Sequence, residues 1–171
     1  MFHESSLSEV VMMKELEFDP TNAEILEQFR RIPAFSALEE QLVQEVVRMS
    51  RIRKYEPGEY LIREGEYDAC VFFLVKGELT ITHKGLEVGT IRRLGDVFGE
   101  MGIIDGSPRS ASIQSVGDTL CVALDASLFD HQAAQNKFML QAILYRVFCE
   151  VLAVRLREMD RKLSELTAQK G

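Results

Sequence analysis

The sequence predicts a mainly β fold with flanking helices: an antiparallel jelly-roll β-barrel with N-terminal helices before it and a long C-terminal helix after it. Three observations carry this. Between Arg51 and Leu124 short runs are punctuated by Pro57-Gly58, Glu64-Gly65, Lys76-Gly77, Lys84-Gly85, Leu94-Gly95 and Val116-Gly117, the spacing of many short antiparallel strands. Helical patterns precede that stretch and return after Asp125. In the last of them Leu152, Leu156, Met159, Leu163 and Leu166 are separated by four, three, four and three residues, an a/d seam.

Taken in order, the break at Asp19-Pro20 lets Thr21 or Asn22 cap a helix running through Arg31, because a short polar side chain satisfies the orphan amides of a first turn. A second helical pattern covers Leu38 to Met49. Phe73-Leu74-Val75 and Leu79-Thr80-Ile81-Thr82 flank Lys76-Gly77-Glu78 as a hairpin, and Thr119 to Leu124 reads as a closing strand. Eight or so strands in this length suit a two-sheet jelly roll or a barrel. The helical period then runs to about Ala168, in two pieces with a bend near Ala133 to Asn136, and Tyr145 and Cys149 extend the seam backwards. A helix packed on its own roll accounts for the first half of that seam. Met159 to Leu166 lie beyond the reach of a compact roll, so pairing with a second copy is expected. The organisation expected is a helical segment over 1–31, a roll over 32–128, and a hinge with a long, dimerising helix over 129–171.

Composition bounds the function. The chain has 171 residues, 46% hydrophobic and 27% charged, enough for one sizeable core with appended helices. Residues 1–50 hold four basic and ten acidic side chains, 51–128 nine and twelve, and 129–171 seven and five, for a net charge of −7. Clustered Lys and Arg are what neutralise phosphates along a nucleic acid, so direct nucleic-acid binding is not expected. No stretch has the uninterrupted apolar length of a membrane span, and Glu4, Glu9 and Glu15 stand where a secretory signal is basic; a cytoplasmic location is expected. Cys70, Cys121 and Cys149 are isolated and in apolar surroundings, which reads as buried core thiols in a reducing compartment. His3, His83 and His131 lie far apart with no paired-histidine spacing, so no metal and no metal-dependent enzyme is expected.

The chemistry is concentrated in Gly99-Glu100-Met101-Gly102-Ile103-Ile104-Asp105-Gly106-Ser107-Pro108-Arg109-Ser110-Ala111-Ser112. A buried ribose phosphate needs a fixed cation, backbone N–H donors and a carboxylate for its hydroxyls. Glu100 follows a glycine that allows close approach, and Met101 to Ile104 suits one helical turn with amides aimed at an anion. Arg109 supplies a planar fork that matches phosphate oxygens. Ser110 and Ala111 are small enough for their amides to reach the same oxygens, and Pro108 stiffens the approach. Without their flanking pattern the same residues also fit a surface Glu100–Arg109 ion pair and ordinary turn glycines.

Phe98-Gly99-Glu100 followed by Ser107-Pro108-Arg109-Ser110-Ala111 closely resembles the phosphate-binding cassette of cyclic nucleotide-binding domains. Pro57 to Gly65, Phe72 to Leu79 and Leu94 to Phe98 fall in that family's order and spacing, so the resemblance covers roughly Ile32 to Arg161 and leaves Met1 to Phe18 outside. It implies that Arg109 contacts the cyclic phosphate with the amides of Ser110 and Ala111, that Glu100 accepts from the ribose 2′-hydroxyl with Gly99 letting it approach, and that Met101 touches the sugar or base. Ile81 and Thr90 correspond to base-facing strand positions. The base contact from the long helix falls somewhere in Arg155 to Asp160, with no single residue singled out.

The resemblance implies no cofactor and no catalytic residue. It implies a sensor whose ligand is a cyclic mononucleotide, cAMP in preference to cGMP, with a cyclic dinucleotide a lesser candidate; Ser110 fits either purine. Because the sequence stops at Gly171, a stand-alone homodimer is expected, which signals to a separate protein effector by rearranging its long helix. A haem sensor on the same scaffold leaves Arg109 and Glu100 without a purpose. A structural dimer module that has lost its ligand is the remaining alternative.

Overall fold

The computed structural model describes residues 14–16, 19, 21–131 and 134–169. In chain order it contains β1 (Lys14–Leu16), α1 (Ala23–Arg30), a 3-10 turn (Pro33–Phe35), α2 (Glu40–Arg48), β2 (Ser50–Tyr55), β3 (Tyr60–Ile62), β4 (Cys70–Lys76), β5 (Leu79–His83), β6 (Leu86–Ile91), β7 (Val97–Phe98), α3 (Glu100–Asp105), β8 (Ser112–Ser115), β9 (Thr119–Asp125), a second 3-10 helix (Ala126–His131) and α4 (Ala134–Ala168).

Local chemistry explains the early helices. Of the two expected caps, Asn22 is the one used for α1: its Oδ1 accepts the Glu24 amide at 2.9 Å, while Thr21 turns back to Asp19. In α2 the pairs Leu42, Val43 and Val46, Val47 recur one turn apart and are all buried, which seats one face of the helix on the core.

The expected β-barrel is not what forms. The strands make two separate antiparallel sheets, in the orders β1-β2-β9-β4-β7 and β3-β8-β5-β6, so this is a mixed fold of open sheets with flanking helices. Closure requires edge strands that find hydrogen-bonded neighbours in the opposite sheet. Here β7 has two residues and β3 three, with a register shift between Tyr60 and Ile62, too little backbone to carry a ladder round.

The expected β4–β5 hairpin is also corrected. β4 pairs with β9 and β7, whereas β5 pairs with β6 and β8, so Lys76-Gly77-Glu78 carries the chain from one sheet to the other. Gly77 has φ +114°, and a Cβ there would lie 2.5 Å from Thr119 Oγ1; the corner is too tight for a side chain. The hairpin lies one turn later, where His83 faces Leu86 across Lys84 and Gly85, at φ +49° and +78°, the left-handed pair that suits a two-residue connection.

β4 and β9 are buried on both faces. Alternate residues Val71, Phe73, Val122 and Leu124 join the core beneath the helices. Phe72, Leu74, Cys121 and Ala123 join a second core with Leu61, Ile62, Leu79 and Ile113 between the sheets, as a period of two requires. The expected closing strand is thus a shared wall between the two cores.

The long helix takes the predicted place, and the first residue of its expected bend, Ala133, lies outside the described residues. Leu140, Leu144 and Phe148 are buried against the first core, with Val147 and Val151 packed beside them. This row lies about 100° round the helix from the seam read in the sequence, since each residue advances the helix by roughly that angle. The seam therefore stays largely uncovered, with Tyr145 exposed in the first half of α4, Leu152 half-buried, and Leu156, Met159, Leu163 and Leu166 exposed beyond it. Cys149 shares that face and is exposed rather than buried, Cys70 is half-buried, and Cys121 alone is a fully buried thiol. No described helix is long and apolar enough to cross a membrane.

Candidate ligand site at the cassette helix

Val97 and Phe98 deliver the chain from β7 to α3 through Gly99, whose φ of +83° only glycine adopts without strain. A Cβ there would lie 2.8 Å from Arg109 Nη1 and 3.1 Å from the Cys70 carbonyl oxygen, so the glycine also makes room for the arginine. Glu100 opens α3 with only 1% of its surface exposed. At the other end Gly106, at φ +69°, returns its N–H to the Gly102 carbonyl at 3.0 Å. The Ser107 amide donates to Asp105 at 2.9 Å and holds that carboxyl below its ordinary value.

Arg109 is 4% exposed. Its Nε donates to Asp68 Oδ2 at 3.1 Å and its Nη2 to Asp68 Oδ1 and the Cys70 carbonyl, while Nη1 donates to the Gly99 carbonyl. Four of the five guanidinium N–H groups thus have acceptors, and the remaining one is on Nη1. The loop is fixed from both sides as well: the Arg109 amide donates to Glu66 O and the Gly65 amide to Arg109 O, each at 2.8 Å. The surface ion pair considered from the sequence does not form. Glu100 is paired instead with Arg155 of α4, whose Nη1 lies 2.5 Å from Glu100 Oε1 and whose Nη2 donates to the Val97 carbonyl.

These groups line one cavity of about 90 Å³. Gly99, Glu100, Met101, Arg109, Ser110, Ala111 and Ile81 all border it, and Ile62, Ile91, Phe98 and Ile113 form an apolar back wall. The Ser110 hydroxyl donates to Met101 Sδ at 3.7 Å, joining the two ends of the cassette. Thr90 is exposed on β6, paired with Thr80 across the ladder, and does not border the cavity. Two participants were not named from the sequence. Asp68 lies 41 residues before Arg109, with no local signal to join them. Arg155 lies inside the stretch 155–160 expected to reach the base, but only the contact with Glu100 singles it out.

A larger cleft, about 450 Å³, lies behind α3, where Gly102, Ile103 and Gly106 face Leu144, Tyr145 and Phe148 of α4. The cassette helix is therefore a thin partition between two spaces. Burial raises the thiol of Cys70 at the start of β4, and no cluster of metal-ligating side chains occurs among the described residues.

A buried arginine and a buried carboxylate on one cavity offer partners of opposite charge, one suited to an anion and the other to hydroxyl donors. Residues 52–136 match the cyclic nucleotide-binding domain family; the chain carries such a domain and belongs to that family. It is 30% identical over 95 residues to the cGMP-dependent protein kinase of Eimeria tenella, an overlap covering 56% of this chain and 9% of the kinase. A solved cyclic nucleotide-binding domain from Methylobacillus flagellatus superposes with a TM-score of 0.73 at 24% identity, covering 90% of this chain and 89% of that one. The regulatory domain of Toxoplasma gondii protein kinase A, solved with cAMP, gives 0.59 at 26% identity, covering 72% and 49%. The chain spans less than a third of the curated relatives it matches.

Proposed function

We propose that the protein is a non-catalytic regulatory sensor of cAMP, and that α4 reports whether the site is filled. The observation that carries this is the bond between Arg155 of α4 and Glu100 of the cassette. The cavity of about 90 Å³ falls short of the roughly 300–1,000 Å³ that enclose small molecules, so filling it requires a wall to withdraw. Arg155 is the wall on the most exposed element. A ribose hydroxyl donating to Glu100 takes over the acceptor that holds Arg155, and α4 is released on that side. The cyclic phosphate meets the remaining Nη1 N–H of Arg109 and the amides of Ser110 and Ala111, and Met101 and Ile81 enclose the sugar and base. The cleft behind α3 gives the cassette room to shift, which makes the change a shift between two packings of α4.

The exposed seam of α4 suits a homodimer, and a protein effector would read the helix; both are part of this proposal. The regulatory domain solved with cAMP supports the choice of ligand. The similarity to a kinase named for cGMP, with a hydroxyl at Ser110 in the cavity, favours cGMP as the second reading. Thermal unfolding with cAMP, cGMP and a cyclic dinucleotide tests it, because a ligand preferring the native state raises the melting temperature. A rise with cAMP that is lost in Arg109→Gln is expected, with affinity falling by roughly a hundredfold or more when a buried charge loses its partner. A rise with cGMP alone transfers the assignment to that nucleotide. No rise with any of the three leaves a dimer module without a ligand.

A further inference from the structure

The heptad seam of α4 fixes more than pairing. With Leu156 and Leu163 at a positions and Met159 and Leu166 at d, Arg155 falls at g and Asp160 at e. In a parallel pair each g residue faces the e residue five positions on in the other helix, and these flanking charges set orientation. Beyond Phe148, which is buried in its own core, the facing pairs are Arg155 with Asp160 and Lys162 with Thr167, so Arg155 and Asp160 make the single charged match, and it is attractive. An antiparallel pair would set Arg155 and Lys162 against themselves and Asp160 against Asp160, which opposes that arrangement. Asp160 is exposed, and the neighbouring ion pair of α4, Arg161 with Glu165 at 2.7 Å, stands on the outward face.

We infer that two copies pair through α4 in parallel and that the partner's Asp160 receives Arg155 when nucleotide takes Glu100. Arg155 continues the row of Phe148 and Val151 that packs on the core and flanks the seam at g, so its long side chain can serve either side. In an isolated chain, ligand binding leaves its part-exposed guanidinium to solvent; in the pair, the displaced cation passes to a carboxylate of the second copy. Dimerisation and ligand binding then strengthen each other by the same factor, since coupling between two equilibria is reciprocal. This rests on the sensor reading above and adds to it the residue that links the two copies.

The test combines sedimentation velocity with cAMP titration of the full chain. The wild type should be dimeric and bind cAMP roughly tenfold more tightly than the monomeric Leu156→Lys/Leu163→Lys variant, a factor in the usual range of coupling. Asp160→Asn should remain dimeric through its apolar seam yet bind about as weakly as that monomer, and this loss should vanish in an Arg155→Ala background. Mild oxidation should join the copies through Cys149, an a-position residue of the same seam, and Cys149→Ser should prevent it; a dimer that never cross-links overturns the parallel register. A wild type monomeric at every concentration overturns the pairing. A dimeric wild type whose Asp160→Asn variant binds cAMP undiminished overturns the exchange of Arg155 alone. A dimer that binds no cyclic mononucleotide overturns the sensor reading beneath it.

Discussion

Replacing Arg155 by alanine separates a lid from a ligand contact, because the two roles predict opposite signs. Glu100 is 1% exposed, and its partner Arg155 lies 2.5 Å away with 37% of its side chain exposed. Breaking a fully buried pair costs about 3–5 kcal/mol. Solvent reaches the arginine end, and exposed pairs are worth at most about 1 kcal/mol, so about 1–2 kcal/mol lies between those limits. That cost falls on the empty site, where Glu100 is left without its cation, and disappears once a ribose hydroxyl occupies it. Arg155→Ala should therefore lower the melting temperature of the free protein by roughly 2–8 °C, from about 2–4 °C per kcal/mol at this size. It should tighten nucleotide binding by about 5–30-fold, the factor that 1–2 kcal/mol represents. Calorimetric titration of dilute protein, below the concentration at which chains pair, reads the second quantity and differential scanning the first. Weaker binding by Arg155→Ala would refute the lid and make Arg155 a contact to the ligand itself.

Three further expectations concern the seat of Arg109 and the buried thiols. Gly99→Ala places a methyl 2.8 Å from Arg109 Nη1 at a φ of +83°; strain of this kind costs about 1–3 kcal/mol, and denaturant unfolding and nucleotide titration should both show a loss, while an unchanged affinity would mean that Arg109 does not need this seat. The thiols should divide by burial: it pushes Cys121 up to about 12 from 9.0 and raises Cys70 as well, so at pH 8, in protein dilute enough that chains do not pair, only the exposed Cys149 should react promptly with a thiol reagent, all three doing so after unfolding. Because the folded state holds the Cys121 proton more tightly, that contribution to stability is complete below pH 9 and is lost as pH rises towards 12; melting temperatures that do not fall over this interval would contradict it.

The cassette was legible because its demands are local. Gly99, Glu100, Arg109, Ser110 and Ala111 sit within thirteen residues, each forced by a backbone angle, a charge or a size that the sequence displays, and all border one cavity. Asp68 was not legible, since a carboxylate that pairs with an arginine 41 residues away looks like any other surface acid until the sheets bring β4 beside α3. The β4–β5 connection misled for a related reason. Two apolar runs around Lys76-Gly77-Glu78 fit a hairpin by spacing alone, and only the contact of Gly77 with Thr119 shows that the chain changes sheets. The turn glycines marked the connections from β2 to β7 and from β8 to β9, but they gave no sign of β1 and could not specify whether the sheets close. In α4 the spacing identified the seam, while the row Leu140, Leu144 and Phe148 that seats the helix on its own core was hidden because both rows are apolar and differ by one position.

The reach of α4 beyond Arg155 gives a small event a large output. Residues 156–168 extend past the last point at which the helix is tied to the cassette, a length of about 20 Å at 1.5 Å per residue. Arg155 is then a fulcrum, and a tilt of roughly 10° about it carries the far end through about 3.5 Å on that lever arm. In the proposed sensor, the loss of one hydrogen-bonded pair at Glu100 would thereby become a displacement comparable to the width of a side chain, delivered where a partner protein could sense it without approaching the nucleotide.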